Sequence, residues 1–309
     1  MNKRIPAITR KQVAGLLPER PRDSHKGLFG TVAIIGGASG MIGAPLMAAR
    51  AALKLGAGCV HVGLLAENAP GVDLLQPELM LHSAADLLRY CAYLPHPHPN
   101  LPPEGEGTNV RNIFNPDVLA AGPGMGRDMA AQKLLYDALH SKAALVLDAD
   151  ALNILALRPD LRTLLIAREA ASALTPHPGE AARLLACSTE EIQSDRPAAA
   201  LQLARQLRCS VVLKGADSLC ATRDGSLFTN KTGNPGMSGA GMGDVLTGMI
   251  AAFIAQGLTA DHALLLAVHL HGAAGDALAE QHAAIGMTAT EVTEWARWLL
   301  NQWQSPARQ

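Results

Sequence analysis

Short, unbroken apolar runs that end at glycine or a charged residue set the strongest limit on how this chain folds. Thr31–Gly37 (TVAIIGG) and Cys59–Leu65 (CVHVGLL) come first. DVLAAG opens Asp117–Gly126, ALVLD closes at Asp148, and SVVL runs into Lys214. Runs of this kind suit strands buried on both faces, as in a parallel sheet. Segments with apolar residues at three- and four-residue spacing follow several of them, starting with Ala44–Leu55. The alternation predicts an α/β fold: a mostly parallel central sheet with helices on both faces and right-handed crossovers. Composition agrees, with 49% hydrophobic and only 3% aromatic residues, so tight helix–sheet packing by Ala, Leu and Gly is expected. No composition break divides the chain, and residues 1–309 read as one domain.

Asn234–Gly257 is the stretch with the most chemistry in it. Gly236, Gly239, Gly241 and Gly243 lead to Asp244, and Val245, Leu246, Met249, Ile250, Phe253 and Ile254 repeat with a helical period. A glycine-rich loop feeding a helix N-terminus offers unpaired N–H groups and a favourable dipole to an anion. Asp244 is out of place in a purely anion-binding loop. It is either a helix N-cap or a general base that takes a hydroxyl proton while the loop holds an arriving phosphoryl group. No Lys-Ser or Lys-Thr closes the loop, so it is not a Walker A sequence.

Other candidates sit at strand ends, where ligands bind in open parallel sheets. Gly36, Gly37, Gly40 and Gly43 follow the first strand without the G-x-G-x-x-G spacing; they mark either close approach to a ligand or a tight packing turn. Gly122, Gly124 and Gly126 alternate after another strand. Asp148 and Asp150 are candidate site carboxylates, acting through water or Mg²⁺, or simple helix caps. His177 is fixed between Pro176 and Pro178, which suits substrate contact or an idle turn. Lys214, at a strand end before Gly215, can reach a phosphate. Ser226–Asn234 reads as a last hairpin strand with Gly225 in the turn, and Ala260–His282 and Thr290–Trp303 as helices. Trp295, Trp298 and Leu299 share one helical face expected to be core or subunit contact. His269 and His271 read as packing or surface residues.

Net charge is −1 with no basic cluster, which argues against nucleic acid as the main partner. No apolar run reaches transmembrane length and the N-terminus lacks a signal-peptide core, so a cytoplasmic setting is expected. Five cysteines without a C-x-x-C fit a reducing compartment, with Cys209 and Cys220 as packing residues. No histidine has a zinc-ligand spacing, and metal ligands stay unknown. Residues 91–115, including the proline-rich Pro95–Gly107 with His96 and His98, read as a surface insertion without chemistry.

Taken together, GGASGMIGAPLMAARAALKLGAG, AAGPGMG, VLDADALN, TPHPGEAARLL with VVLKGAD, and GNPGMSGAGMGDVLTG resemble the ADP/ATP-dependent NAD(P)H-hydrate dehydratases of the ribokinase-like superfamily. The resemblance covers roughly Lys26 to Leu299, and the insertion falls between its motifs. It implies repair of hydrated NADH or NADPH by phosphoryl transfer from ADP or ATP, with Mg²⁺ on the donor phosphates and release of AMP and phosphate when ADP is used. It implies that Asp244 is the base, and that Gly239, Ala240, Gly241, Met242 and Gly243 form the anion hole. Lys214, Gly215, Ala216, Asp217, Ser218 and Gly243 would contact the adenine nucleotide. Ala44, Gly126, His177 and Asp244 would contact the hydrated dinucleotide. A homotetramer acting alongside a separate epimerase is also implied. A small-molecule kinase of the same superfamily and a non-catalytic nucleotide sensor are the rival readings; the sensor would need no carboxylate at position 244.

Overall fold

The computed structural model describes residues 4–91, 115–282 and 284–304. After a short helix α1 (Arg10–Val13), the chain runs β1 (Thr31–Gly36), α2 (Gly43–Lys54), β2 (Cys59–Leu64), β3 (Met80–Ser83), α3 (Ala84–Cys91) and β4 (Val118–Ala121). Then come α4 (Met129–His140), β5 (Ala144–Leu147), α5 (Ala149–Leu157), α6 (Pro159–Ala167), β6 (Ser172–Leu174), α7 (Pro178–Leu185), α8 (Thr189–Ser194) and α9 (Arg196–Leu207). The last part is β7 (Ser210–Leu213), β8 (Leu219–Ala221), β9 (Leu227–Thr229), α10 (Met242–Ala255), α11 (Ala260–Gln281) and α12 (Ala289–Gln304). The strands form one 9-stranded sheet in the order β3-β2-β1-β4-β5-β6-β7-β8-β9. Every pairing from β3 across to β7 is parallel. The β7–β8 and β8–β9 pairings are antiparallel, with Gly225 at φ 90° in the β8–β9 turn.

Side chains of each strand divide between two cores, as a period of two requires. Val32, Ile34, Val118, Ala120, Val146 and Val212 pack against α2, α10, α11 and α12. Ala33, Ile35, Leu119, Leu145, Leu147 and Leu213 pack on the other face, against α3 to α9. That double coverage is the physical origin of the unbroken apolar runs. Small residues bring helices α2 and α10 close: a Cβ on Gly248 would lie 3.0 Å from Ala48 Cα. The two helix starts are thereby held side by side.

The span between Leu65 and Val118, which carries little periodic signal, contains β3 and α3. β3 is a four-residue edge strand with no fully buried position, so it leaves no apolar run to read. Trp295 and Leu299 pack on the core, in line with one of the two expected roles, while Trp298 meets Trp295 edge-on and is 53% exposed. His269 and His271 are both buried, which agrees with the packing alternative for these two residues. The proline-rich segment, including His96 and His98, lies outside the described residues. Among the described residues no helix is long and apolar enough to cross a membrane.

Candidate active site

The strand ends gather the candidate residues. Asp148 follows β5, Thr175 and His177 follow β6, and Lys214 follows β7. Asp148 is 1% exposed and its carboxylate is fully engaged. Oδ1 accepts from Lys214 Nζ at 2.8 Å and from Thr175 Oγ1 at 2.7 Å, and Oδ2 accepts from Thr247 Oγ1 at 3.0 Å. It occupies the N-cap position of α5 but makes no side-chain cap bond, so the capping alternative falls away. Ala149, next in the chain, holds φ 48°, a left-handed conformation that costs energy outside glycine and often marks a functional site. Burial alone would depress the Lys214 ammonium, but the carboxylates of Asp148 and Glu180 hold its pKa above the ordinary value. Lys214 is a fixed cation at neutral pH.

Helix α10 starts beside this pair. Gly241 is its N-cap, at φ 87°, where a Cβ would press within 2.6 Å of Met47 Sδ on α2. Glycine is therefore needed there on two counts, conformation and space. Val245 N–H donates to Gly241 O at 2.9 Å, so the N–H groups of Met242, Gly243 and Asp244 have no acceptor within the helix. Asp244 lies in the first turn and is not the N-cap, which removes the bland reading of this residue. Burial raises its pKa, the Asp148 carboxylate raises it further, and Lys214 opposes them; the result is about 6. A carboxylate poised there is suited to accept a proton near neutral pH.

A cleft of about 490 Å³ opens from this point. Its wall includes all of Lys214–Ser218, together with Met242 and Gly243. Gly215 has φ 140° and Asp217 φ 55°, and Asp217 is tied to Lys231 at 2.6 Å, so this loop is held in an unusual shape. Gly243 is pressed near the cation: a Cβ there would be 3.2 Å from Lys214 Nζ. The loop before α10 is anchored from α11, because Asp276 accepts from Gly233 N–H at 2.8 Å and from Asn234 Nδ2 at 3.0 Å. Asn234 Oδ1 in turn accepts from Gly236 N–H at 3.0 Å. Gly239 and Ala240 are exposed in the turn that follows.

Ala44, Gly126 and His177 do not line that cleft. Ala44 and Gly126 belong to a neighbouring surface where the β1–α2 and β4–α4 loops meet: Ala38 N–H donates to Gly124 O at 2.7 Å, and a Cβ on Gly124 would be 3.3 Å from Ala44 Cβ. Asp150 Oδ2 accepts from Gly126 N–H at 2.9 Å, so this carboxylate shapes a loop. His177 caps α7: its Nδ1 accepts from Gly179 N–H at 3.0 Å while Glu180 Oε2 accepts from His177 N–H at 2.8 Å. Burial, then Lys214 and Arg183, lower its pKa, so the ring is neutral and half exposed.

The chain matches the family model described as NAD(P)H-hydrate dehydratase over residues 32–297. It belongs to that family. It is 40% identical to an ADP-dependent (S)-NAD(P)H-hydrate dehydratase of Neisseria meningitidis, over 92% of this chain and 89% of that one. It is also 40% identical to a bifunctional NAD(P)H-hydrate repair enzyme of Coxiella burnetii, over 94% of this chain but only 54% of that protein. The chain thus spans about half the length of the bifunctional relative. A solved ADP/ATP-dependent NAD(P)H-hydrate dehydratase of Bacillus subtilis, co-crystallised with ATP and Mg²⁺, superposes with TM-score 0.80 at 30% identity, covering 98% of this chain and 99% of that one. The architecture is that of the ribokinase-like fold.

In this family member Lys214–Ser218, Met242 and Gly243 share one cleft wall, Asp244 follows in the first turn of α10 without lining it, and Ala44 at the start of α2, Gly126 in the β4–α4 loop and His177 at the N-cap of α7 lie outside that wall. Sequence reading missed Thr175, Thr247 and Asp276. Each is an ordinary residue by type, and only the folded contacts reveal its task. No group of three or more His, Cys, Asp or Glu side chains suited to a metal exists among the described residues.

Proposed function

We propose that this chain is an ADP-dependent NAD(P)H-hydrate dehydratase, returning the hydrated cofactor to NADH or NADPH. One observation carries the reading beyond family membership. Asp244, with a pKa of about 6, stands in the first turn of α10, beside free helix N–H groups and the fixed Lys214 cation.

Hydroxide is a poor leaving group, so the hydroxyl on the hydrated nicotinamide ring is first phosphorylated. Asp244 takes the hydroxyl proton as the oxygen bonds to the β-phosphorus of ADP, and AMP departs. The N–H groups of Met242 and Gly243, with those of Gly239–Gly241 in the preceding turn, hold the transferring phosphoryl oxygens. Lys214 and the Gly215–Ser218 backbone hold the donor nucleotide. The ring nitrogen's lone pair then expels phosphate, and loss of a proton from the adjacent carbon restores the double bond. Ala44, Gly126 and His177 face the dinucleotide, where His177 acts as a neutral hydrogen-bonding group. Mg²⁺ would supply charge neutralisation of the donor phosphates; of the carboxylates near Lys214 among the described residues, Asp148 is already engaged by Lys214, Thr175 and Thr247, which leaves Asp244 as the one with free oxygens to offer.

A homo-oligomer belongs to the same reading, supported by exposed apolar side chains at Val72, Leu74 and Leu75. A separate epimerase would convert the other hydrate epimer into substrate. The decisive experiment incubates purified protein with hydrated NADH, Mg²⁺ and either ADP or ATP. Return of reduced-nicotinamide absorbance with release of inorganic phosphate is expected. A stable phosphoester without recovered absorbance would instead make the chain a small-molecule kinase.

A further inference from the structure

One polar group in the cleft wall has no explanation in the chemistry above. His271, on α11, is 9% exposed and is one of the residues that line the cleft. Its Nε2 is shielded from solvent and has no hydrogen-bond partner among the described residues. Two residues earlier, His269 Nδ1 pairs with Asn230 Oδ1 at 3.2 Å. The helix therefore carries one satisfied buried histidine and one unsatisfied one. A buried nitrogen left without a partner costs folding free energy, and such groups in native proteins point to an absent occupant.

The surroundings limit what that occupant is. A Cβ on Gly272 would lie 2.7 Å from the Thr232 carbonyl, so α11 sits flush against the Asn230–Gly233 segment. Burial and the Lys214 ammonium push the His271 pKa down to about 4, so the imidazole is neutral at physiological pH. A neutral imidazole has one donor and one acceptor nitrogen. Met237, Met242, Leu246 and Val268 share the cleft wall with it. Apolar side chains with one uncharged donor–acceptor ring suit a flat heteroaromatic base with a polar edge. They do not suit a phosphate, which Lys214 and the α10 N–H groups attract instead.

We propose that His271 reads the base of the donor nucleotide, meeting the polar edge of adenine and favouring it over other bases. The inference rests on the nucleotide-cleft reading above. Nε2 is shielded, so this contact requires the ring to turn when the base binds.

The test is calorimetric titration of the full chain with ADP and with inosine diphosphate, which carries a carbonyl where adenine carries its amino group. His271→Leu and His271→Gln are compared with the wild type, and melting transitions check that each variant folds. Wild type is expected to prefer ADP. His271→Leu should weaken ADP by about tenfold, roughly 1.4 kcal/mol, and pull the ADP-to-inosine-diphosphate ratio towards one. His271→Gln, neutral and hydrogen-bonding, should recover part of the preference. Equal wild-type affinity for the two nucleotides, or an unchanged ratio in folded His271→Leu, overturns the proposal. If the Leu variant does not fold, the Gln variant decides: a changed ratio supports the proposal and an unchanged one overturns it. Failure of wild type to bind either nucleotide sinks the cleft reading itself, a distinct outcome.

Discussion

Lys214 Nζ lies 2.8 Å from Asp148 Oδ1, and this pair joins the β5 and β7 strand ends beneath the start of α10. Asp148→Ala removes the only carboxylate in hydrogen-bond contact with that ammonium among the described residues. Breaking a buried pair from one side is expensive because the other charge stays desolvated. Lys214 retains some solvent contact, so the loss should sit near the low end, about 3 kcal/mol. Urea unfolding of the variant measures it; a change below about 0.5 kcal/mol, the range of ordinary surface substitutions, would show that the pair is not a structural joint.

Thr247 is fully buried and donates to Asp148 Oδ2 at 3.0 Å from one turn beyond Gly243. It therefore sets where α10 stands relative to the carboxylate. Thr247→Val keeps the shape and deletes the hydroxyl, at a cost of about 1.5–3 kcal/mol for a bond to a charged acceptor. Thr247→Ser keeps the hydroxyl and should recover most of kcat. If Ser and Val are equally impaired in kcat, the hydrogen bond is not what matters at this position.

Asp244 makes the chain's pH response unusual for a carboxylate. Its folded pKa is about 6, against an ordinary value of 3.8. Between those values the folded state binds more protons than the unfolded one, so this group's contribution to stability falls as pH rises through that window. Above about pH 6 the buried charge is a standing cost. Asp244→Asn should then melt higher than wild type at pH 7 to 8, by about 1–3 kcal/mol, and the gap should close as pH falls towards 4. The same variant should lose about 10²–10⁴-fold in kcat while still binding ADP. Wild-type kcat should drop below about pH 6 as the base becomes protonated. A flat kcat between pH 5 and 8, or an Asn variant with full turnover, removes Asp244 from the proton transfer.

Much of this fold was legible in the sequence because its strands are buried on both faces. Val32–Ile35 and Leu145–Leu147 leave unbroken apolar runs that few other environments require. β3 left no such trace, being an edge strand with no buried position. At the site, glycines advertised themselves: Gly241 is needed for a positive φ and for room beside Met47. Asp244 stood out as a charge in the wrong company. Thr175, Thr247 and Asp276 did not, because their roles depend on partners far along the chain. The hydroxyls of Thr175 and Thr247 point to a carboxylate 27 and 99 residues away, and no local pattern encodes such a contact. His177 was recognisable as a fixed residue, but its capping of α7 emerges only with the Glu180 geometry.

Gly243 offers a way to separate binding from folding. Its φ is not positive, so alanine is sterically allowed by the backbone, and helix propensity favours it by up to about 1 kcal/mol. The added Cβ would nevertheless sit 3.2 Å from Lys214 Nζ and 3.7 Å from Asp148 Oδ2. Gly243→Ala should therefore keep or raise the melting temperature while raising KM for ADP several-fold. Unchanged KM in a folded variant would mean that the nucleotide does not approach this face of α10.

Asp276 tests whether the loop needs to be held before it can work. Its two oxygens accept from Gly233 N–H and Asn234 Nδ2, and Asn234 Oδ1 accepts from Gly236 N–H. The chain of contacts thus runs from α11 to the glycines ahead of α10. Asp276→Ala releases that tether at its root. Because these bonds lie near solvent, the stability cost should be modest, about 1–2 kcal/mol. The catalytic cost should be larger, since misplacing donors by about 1 Å can lower rate a hundredfold. Hydrogen exchange at Gly236–Gly241 should quicken in the variant, and kcat should fall more than ADP affinity. Fast exchange with intact kcat would show that the N–H cradle organises itself on the substrate and does not depend on the α11 anchor.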